Sequence, residues 1–205
     1  MLVTQEFTVK VDNDVILDDL TLEFGPGVHI VMGPNGVGKS TFAHALMGNP
    51  NYDISGAVEF NGKDLLAMET YERARAGLFI SFQNPTPIEG LSNFQFIKQS
   101  LESMNSKNSL GENLKAFKEI SEDLGLSENW DKKQLDVEAI KLLVKKLNNF
   151  VQQENKTLII ISHYSDLITK LNPQSVTIIG RNKVTQTDDV SIAYDVLENG
   201  FSNYV

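Results

Sequence analysis

The stretch Val28-His29-Ile30-Val31-Met32-Gly33-Pro34-Asn35-Gly36-Val37-Gly38-Lys39-Ser40-Thr41 decides the fold. Its first five residues form a short apolar run, the pattern of a buried strand. From Thr41 to Met47 the chain reads as a helix start with good helix formers. Between them, Gly33 to Ser40 fits the spacing G-x-x-x-x-G-K-[ST]. Glycines there let successive backbone N–H groups curl around phosphate oxygens with no Cβ in the way. The dipole of the following helix adds positive potential at the same point. Lys39 supplies a mobile positive charge for the β- and γ-phosphates, and the Ser40 hydroxyl is a hard oxygen ligand for magnesium. Average composition gives such a match by chance in about 1 chain in 100 of this length, and a preceding strand and following helix narrow it further. The expected nucleotide-binding set is Gly33, Pro34, Asn35, Gly36, Val37, Gly38, Lys39, Ser40 and Thr41.

Outward from this loop the pattern alternates between strand and helix. Upstream, apolar residues recur at every second position (Phe7, Val9, Val11, then Val15 to Leu17, Leu20, Leu22, Phe24), which predicts antiparallel strands before the turn Gly25-Pro26-Gly27. Downstream, Pro50 to Asp53 reads as loop, Gly56 to Phe60 as a strand, and Asn61-Gly62-Lys63 as its turn. Glu69 to Ala76 predicts a helix, and Gly77 to Phe82 a further buried strand ending at Gln83. Asn84 to Ser92 holds two prolines and reads as loop. Residues 93–125 are mostly helical in pattern, with a polar loop near Asn105 to Asn113. Ile140, Leu143, Leu147 and Val151 form a helical stripe within Val137 to Gln153. Leu158 to Ile161 and Val176 to Ile179 are apolar strands, the second followed by the turn Gly180-Arg181-Asn182. Strands alternating with helices predict an α/β fold with a partly parallel sheet.

The 205 residues suit one domain, 41% hydrophobic and 22% charged. A formal net charge of -9 argues against a nucleic-acid partner, whose phosphates want a basic surface. With no cysteine, the chain has neither disulfides nor a cysteine-held cluster of its own. No apolar run approaches the ~18 residues of a membrane-spanning helix, so direct membrane insertion is not expected. The opening Met1 to Phe7 lacks the basic-then-apolar order of a signal peptide, and a cytoplasmic location is the expectation.

Two strand ends add candidate catalytic positions. Gln83 closes the expected strand Leu78 to Phe82, where a neutral amide touches magnesium or the attacking water. His163 follows Leu158 to Ile161, at the end of a strand where open α/β sheets bind ligands. Taken singly, each is more often an ordinary solvated residue. Their order after the phosphate loop gives them weight together.

The loop, the glutamine and the histidine, in this order, resemble the pattern of ABC ATPases. Closer runs resemble the SufC family, the ATPases of Suf iron–sulfur cluster assembly. These are Met32 to Gly36, Asn51-Tyr52-Asp53 through Val58 to Leu66, Glu72-Arg73-Ala74, Gly77-Leu78-Phe79, Phe82-Gln83-Asn84-Pro85 with Ile88 to Asn93, Ser162-His163-Tyr164 and Leu197 to Phe201. The resemblance covers residues 1–100 and 135–205 well and the middle loosely. It implies a P-loop NTPase core of ABC type spanning 1–205, an N-terminal antiparallel β subdomain and a shortened helical subdomain at about 93–130. It further implies ATP and Mg2+ as ligands, with the metal at Ser40 and Gln83, and transient ATP-driven dimers of ATPase subunits. The partners it implies are SufB- and SufD-like scaffold proteins docked around Gln83 to Asn93. The family's stacking position for adenine falls near Val11, which is not aromatic.

The sequence departs from that pattern in one segment. It holds no Ser-Gly-Gly signature loop and no apolar run ending in Asp-Glu, so roughly forty residues, about one supersecondary unit, are absent. Asp131 and Asp136 are poor substitutes, since neither ends an apolar strand. Without such carboxylates the magnesium loses a ligand and the attacking water a general base. The lost strand would lie inside the core sheet, leaving its neighbours' backbone groups open. Three functions follow: an ATPase subunit of a SufBCD-like complex, a non-hydrolysing nucleotide-binding or scaffold-docking module, and the ATP-binding subunit of a membrane transporter. The run Ile88 to Asn93 speaks against the last.

Overall fold

The structure is a computed structural model that describes residues 1–81, 156–162, 165–181 and 183–204, with individual positions between 95 and 122. Two compact units emerge: one from Met1–Leu78 with Lys146–Val205, the other from Phe79–Lys145. Gln83, His163, the expected docking segment Gln83 to Asn93, the loop Asn84 to Ser92, the stripe in Val137 to Gln153, and Asp131 and Asp136 lie outside the described residues.

The first unit is α/β, with an antiparallel sheet and a mixed sheet. Strands β1 (Leu2–Val11), β2 (Asp14–Phe24), β4 (Asp53–Phe60) and β5 (Lys63–Asp64) form the antiparallel sheet, in the order β2-β1-β4-β5. Its pairing is irregular in the middle. Glu6 on β1 and Asp19 on β2 have left-handed backbones (φ 51° each), and register shifts surround them. Opposite Glu6, Gly56 of β4 also has positive φ, and a Cβ there would lie 2.4 Å from the Glu6 carbonyl oxygen. Threonines stitch the bulged strands: Thr4 Oγ1 donates to the Leu20 carbonyl and accepts from Leu22 N–H, while Thr21 Oγ1 accepts from Glu6 N–H.

The second sheet has the order β6-β3-β7-β8, from β3 (Gly27–Met32), β6 (Thr157–Ile161), β7 (Ser175–Ile179) and β8 (Val184–Thr187). Both β6 and β7 run parallel to β3, and β8 is antiparallel to β7. Every residue of β3 and β7 is buried, as continuous apolar runs in parallel sheets require. β6 is only half-buried, and Ile161 at its end is exposed. Among the described residues no strand pairs with its outer edge.

Among the described residues, four helices complete the unit: α1 (Lys39–Leu46), α2 (Thr70–Arg75), α3 (Ser165–Leu171) and α4 (Ser191–Asn199). α1 lays Phe42, Ala45 and Leu46 into the core of the antiparallel sheet. Phe42 meets Phe7 edge-on (5.8 Å between centroids) and Phe24 at a tilt (6.2 Å). Burying such a ring contributes about 1.5–3 kcal/mol, so this packing fixes the helix that the phosphate loop opens.

One expectation fails. The apolar run Gly77 to Phe82 predicts a buried strand, yet the described residues Leu78 to Ser81 are not in a strand, and Phe79 is 85% exposed. The reason is local as well as tertiary. Gly77 (φ 98°) closes α2 in a Schellman motif, its N–H bonded to the Ala74 carbonyl and that of Leu78 to the Arg73 carbonyl. Leu78 N–H is thereby spent on the helix end, and no described strand offers a ladder to the rest. Two smaller differences concern boundaries: Asp53, read as loop, begins β4, and the polar loop near Asn105 to Asn113 gives way to helix by Gly111. There Ser109 N–H donates to Glu112 Oε2 and Glu112 N–H to Ser109 Oγ, a reciprocal capping box from the Ser-x-x-Glu spacing.

Candidate nucleotide site

The loop Gly33 to Gly38 joins the end of β3 to the start of α1. Gly33 (φ 155°) passes so close to β7 that a Cβ would lie 2.2 Å from the Ile179 carbonyl oxygen. Gly38 (φ 96°) is the left-handed N-cap of α1, and a Cβ there would strike Leu17 of β2 at 2.6 Å. Gly36 (φ 82°) faces open space, so its glycine answers to backbone conformation alone. Val37 is buried beneath the loop, while Asn35, Gly36 and Ser40 are exposed at its surface and Pro34, Lys39 and Thr41 are half-buried. All nine expected nucleotide-binding residues therefore lie in this loop and the first residues of α1.

The helix start is left open. No side chain caps α1 at its N-terminus, and its first turn holds no acidic residue. A helix end with free N–H donors and no carboxylate is an anion site by its own electrostatics. Lys39 stands at its edge. Its Nζ donates to the carbonyls of Gly33 (2.8 Å) and Pro34 (2.7 Å), and burial pushes its pKa below the ordinary value. The ammonium is thus held over the loop, where a phosphate oxygen would meet it.

The far end of α1 is closed. Gly48 (φ 80°) donates its N–H to the Ala45 carbonyl, and Asn49 N–H reaches that of His44, a second Schellman motif. Arg73 of α2 adds a clamp: its Nη1 donates to the carbonyls of Ala45 (3.1 Å) and Leu46 (2.8 Å), and its Nε to that of Met68. This guanidinium is buried, 5% exposed, and burial lowers its pKa against the raising effect of Glu69 and Asp64. Sequence reasoning missed this clamp. Its only signal was an arginine in a short helix far from the loop.

Beneath the site, His29 of β3 is buried with both ring nitrogens engaged. Nε2 faces the Gly25 carbonyl and Nδ1 the Ser175 hydroxyl, each at 2.8 Å. Nε2 must carry the proton to donate to a carbonyl, so Nδ1 accepts from Ser175. Burial lowers its pKa, more than the Gly25 bond and the Asp188 charge raise it. This histidine is structural and belongs to the sheet.

A phosphate-gripping glycine loop between a buried parallel strand and a helix defines a P-loop nucleotide-binding protein. The chain belongs to the ABC transporter family, whose model matches residues 17–158. It is 29% identical over 242 residues to the probable ATP-dependent transporter SufC of Escherichia coli (strain K12), covering 98% of this chain and 97% of that protein. It is also 30% identical to the chloroplastic ABC transporter I family member 6 of Arabidopsis thaliana, over 85% of this chain and 63% of that protein. The fold matches the ATP-binding subunit of an ABC transporter (TM-score 0.76, 15% identity, 97% of this chain and 100% of that one). It also matches the dimeric post-hydrolysis structure of the cassette MJ0796 bound to ADP and Pi (TM-score 0.75, 15% identity, 91% and 98%).

The match to the Escherichia coli protein spans 242 positions, while this chain has 205 residues, so at least 37 positions there face no residue here. Among the described residues no three His, Cys, Asp or Glu side chains converge to hold a metal ion. Of the two expected magnesium ligands, Ser40 is described, and its hydroxyl at the open helix end suits a cation bridged to phosphates. Among the described residues no helix is long and apolar enough to cross a membrane.

Proposed function

We propose that this chain is the nucleotide-binding subunit of a SufBCD-like iron–sulfur cluster assembly complex, holding Mg-ATP at Gly33 to Thr41. The observation that carries the reading is the uncapped, acid-free start of α1 under a glycine loop, with the Lys39 ammonium held across it. Backbone N–H groups of the loop cradle the phosphates, Lys39 neutralises the β- and γ-oxygens, and Ser40 Oγ binds the magnesium. Gln83 and His163 act as sensors of the terminal phosphate, and binding drives transient pairing with another ATPase subunit. The scaffold partners are SufB- and SufD-like proteins docked through Gln83 to Asn93, and the compartment is the cytoplasm. The likeness to the protein named SufC supports this partnership, and the run Ile88 to Asn93 speaks against a transporter role.

A second reading has its own support: a subunit that binds Mg-ATP with little turnover. No Asp-Glu pair ends an apolar run, which leaves the attacking water without a carboxylate base. One experiment separates the two. Mg-ATP binding by calorimetry and phosphate release are measured on the full chain and on Lys39→Ala. Binding with turnover, both lost in the variant, supports the ATPase; binding without turnover supports the module. No binding by folded wild type sinks both.

A further inference from the structure

Three asparagines stand directly before a glycine: Asn35-Gly36, Asn61-Gly62 and Asn199-Gly200. Such a pair is chemically labile. The glycine nitrogen attacks the asparagine side-chain carbonyl, and no Cβ on the glycine shields the approach. What separates one pair from another is whether the fold leaves both reacting groups free.

At two pairs it does not. Asn61 Oδ1 accepts from the Met1 ammonium (2.8 Å), and Asn61 N–H donates to the Met1 carbonyl (3.0 Å), which ties this turn to the start of β1. Asn199 Nδ2 donates to Asp195 Oδ1 (2.7 Å). The nucleophile there, Gly200 N–H, is already bonded to the Val196 carbonyl (2.9 Å). At the third pair neither the Asn35 amide nor Gly36 N–H has a partner among the described residues. Both residues are exposed, and a Cβ on Gly36 would meet nothing within 4 Å.

Electrostatics favours reaction at the same pair. Gly36 N gives up its proton as it attacks, and the tetrahedral species that follows carries a negative oxygen. The acid-free start of α1 lies just beyond, and Lys39 Nζ rests on the carbonyls of Gly33 and Pro34, directly before Asn35. The positive potential that draws a phosphate also stabilises these anionic species.

We propose that Asn35 is a modification site: in the nucleotide-free protein it loses its side-chain amide, and the loss closes the phosphate loop to nucleotide. A bond forms between Gly36 N and Asn35 Cγ, and the Cγ–Nδ2 bond breaks. Nδ2 leaves as ammonia, carrying the proton taken from Gly36 N. The cyclic imide then adds water at one of its two carbonyls and opens to aspartate or isoaspartate at position 35. Water is the only co-reactant, and nothing is oxidised or reduced. Either product sets a carboxylate in a loop that receives a triphosphate, where like charges repel. Isoaspartate also lengthens the backbone by one carbon and displaces the N–H groups beside it. Bound Mg-ATP engages the loop's N–H groups and so protects the pair. The inactivation rests on the nucleotide reading above; the lability of Asn35 does not.

The test ages the full chain at mildly alkaline pH, with and without saturating Mg-ATP. Amide loss at each pair is followed by peptide mass spectrometry and isoaspartyl methyl labelling. In the empty protein Asn35 converts at least about tenfold faster than Asn61 and Asn199, and Mg-ATP slows Asn35 alone by at least about tenfold. Protein aged empty binds Mg-ATP at least about tenfold more weakly than fresh protein in calorimetry, and so does Asn35→Asp. Protein aged under Mg-ATP and then freed of it binds as fresh protein does, which sets aside ageing elsewhere. If Asn35→Asp does not fold, the two aged samples decide. Conversion of Asn35 no faster than that of the other two overturns the site. Undiminished binding after Asn35 has converted overturns the inactivation. Fast conversion at Asn35 with no Mg-ATP binding by fresh protein sinks the nucleotide reading instead and leaves the labile asparagine standing.

Discussion

The two ends of α1 differ in how their backbone is satisfied. At the C-terminal end, the carbonyls of Ala43 to Leu46 all receive donors: Met47, Asn49 and Gly48 from the chain that follows, and Arg73 from α2. At the N-terminal end no side chain offers a cap, and the turn before it carries glycines at 33, 36 and 38. One end is finished by the fold. The other is left for a ligand. A helix held firmly at one end and unsatisfied at the other keeps its free donors in a fixed place, which is what anion recognition needs.

Substitutions at the two ends should therefore separate binding from stability. The largest effect is expected for Gly33→Ala, where the added methyl meets the Ile179 carbonyl at 2.2 Å and the backbone conformation is one L-residues rarely adopt. Mg-ATP binding should fall below detection in calorimetry, with a stability loss of about 2–3 kcal/mol. Lys39→Ala should weaken Mg-ATP about 100-fold, the equivalent of 2–3 kcal/mol for a lost charged hydrogen bond, while the urea midpoint stays close to wild type. Arg73→Met should do the reverse. The Leu46 and Met68 carbonyls lose their donor and that of Ala45 one of two, so stability should drop by about 2–3 kcal/mol in urea unfolding, with Mg-ATP affinity of the folded protein within about threefold. If Arg73→Met abolishes binding while the fold is intact, the two ends are not independent and the comparison breaks.

The smallest expected effect gives a control away from both ends. His29 is neutral in the fold, its pKa held below the ordinary 6.5 by burial. As pH falls below 6.5 the unfolded chain takes up a proton that the native chain resists, so the contribution to stability is full above that value and declines beneath it. Thermal unfolding of wild type should show this decline between about pH 6.5 and 5, and His29→Asn should flatten it. An unchanged slope in the variant would assign the acid sensitivity to other groups.

The glycine loop was legible because its spacing is local. Gly33, Gly36 and Gly38 all have positive φ, with Lys39 and Ser40 directly after them, whereas the close approach of Gly33 to Ile179 and of Gly38 to Leu17 was not. The antiparallel pairing of β1 with β2 was legible from alternation, since Phe7, Val9, Leu20, Leu22 and Phe24 all face one core. The clamp by Arg73 was not, because it reaches carbonyls 27 and 28 residues away, and nothing near Arg73 in sequence announces that distance. Nor was a cleft lined by Asp18 and Arg181, whose walls come from opposite ends of the chain.

Leu158 to Ile161 and Val176 to Ile179 read almost alike, yet the second is buried throughout and the first only in part. Leu78 to Ser81 has the same apolar character and is no strand at all. The sequence by itself determined where the backbone must turn, which donors stay free at the start of α1, and which residues are apolar enough to enter a sheet. Only the tertiary structure decided which of those apolar runs found neighbours on both sides. Backbone conformation is a property of each residue, whereas a strand's burial and hydrogen bonds belong to the strands beside it.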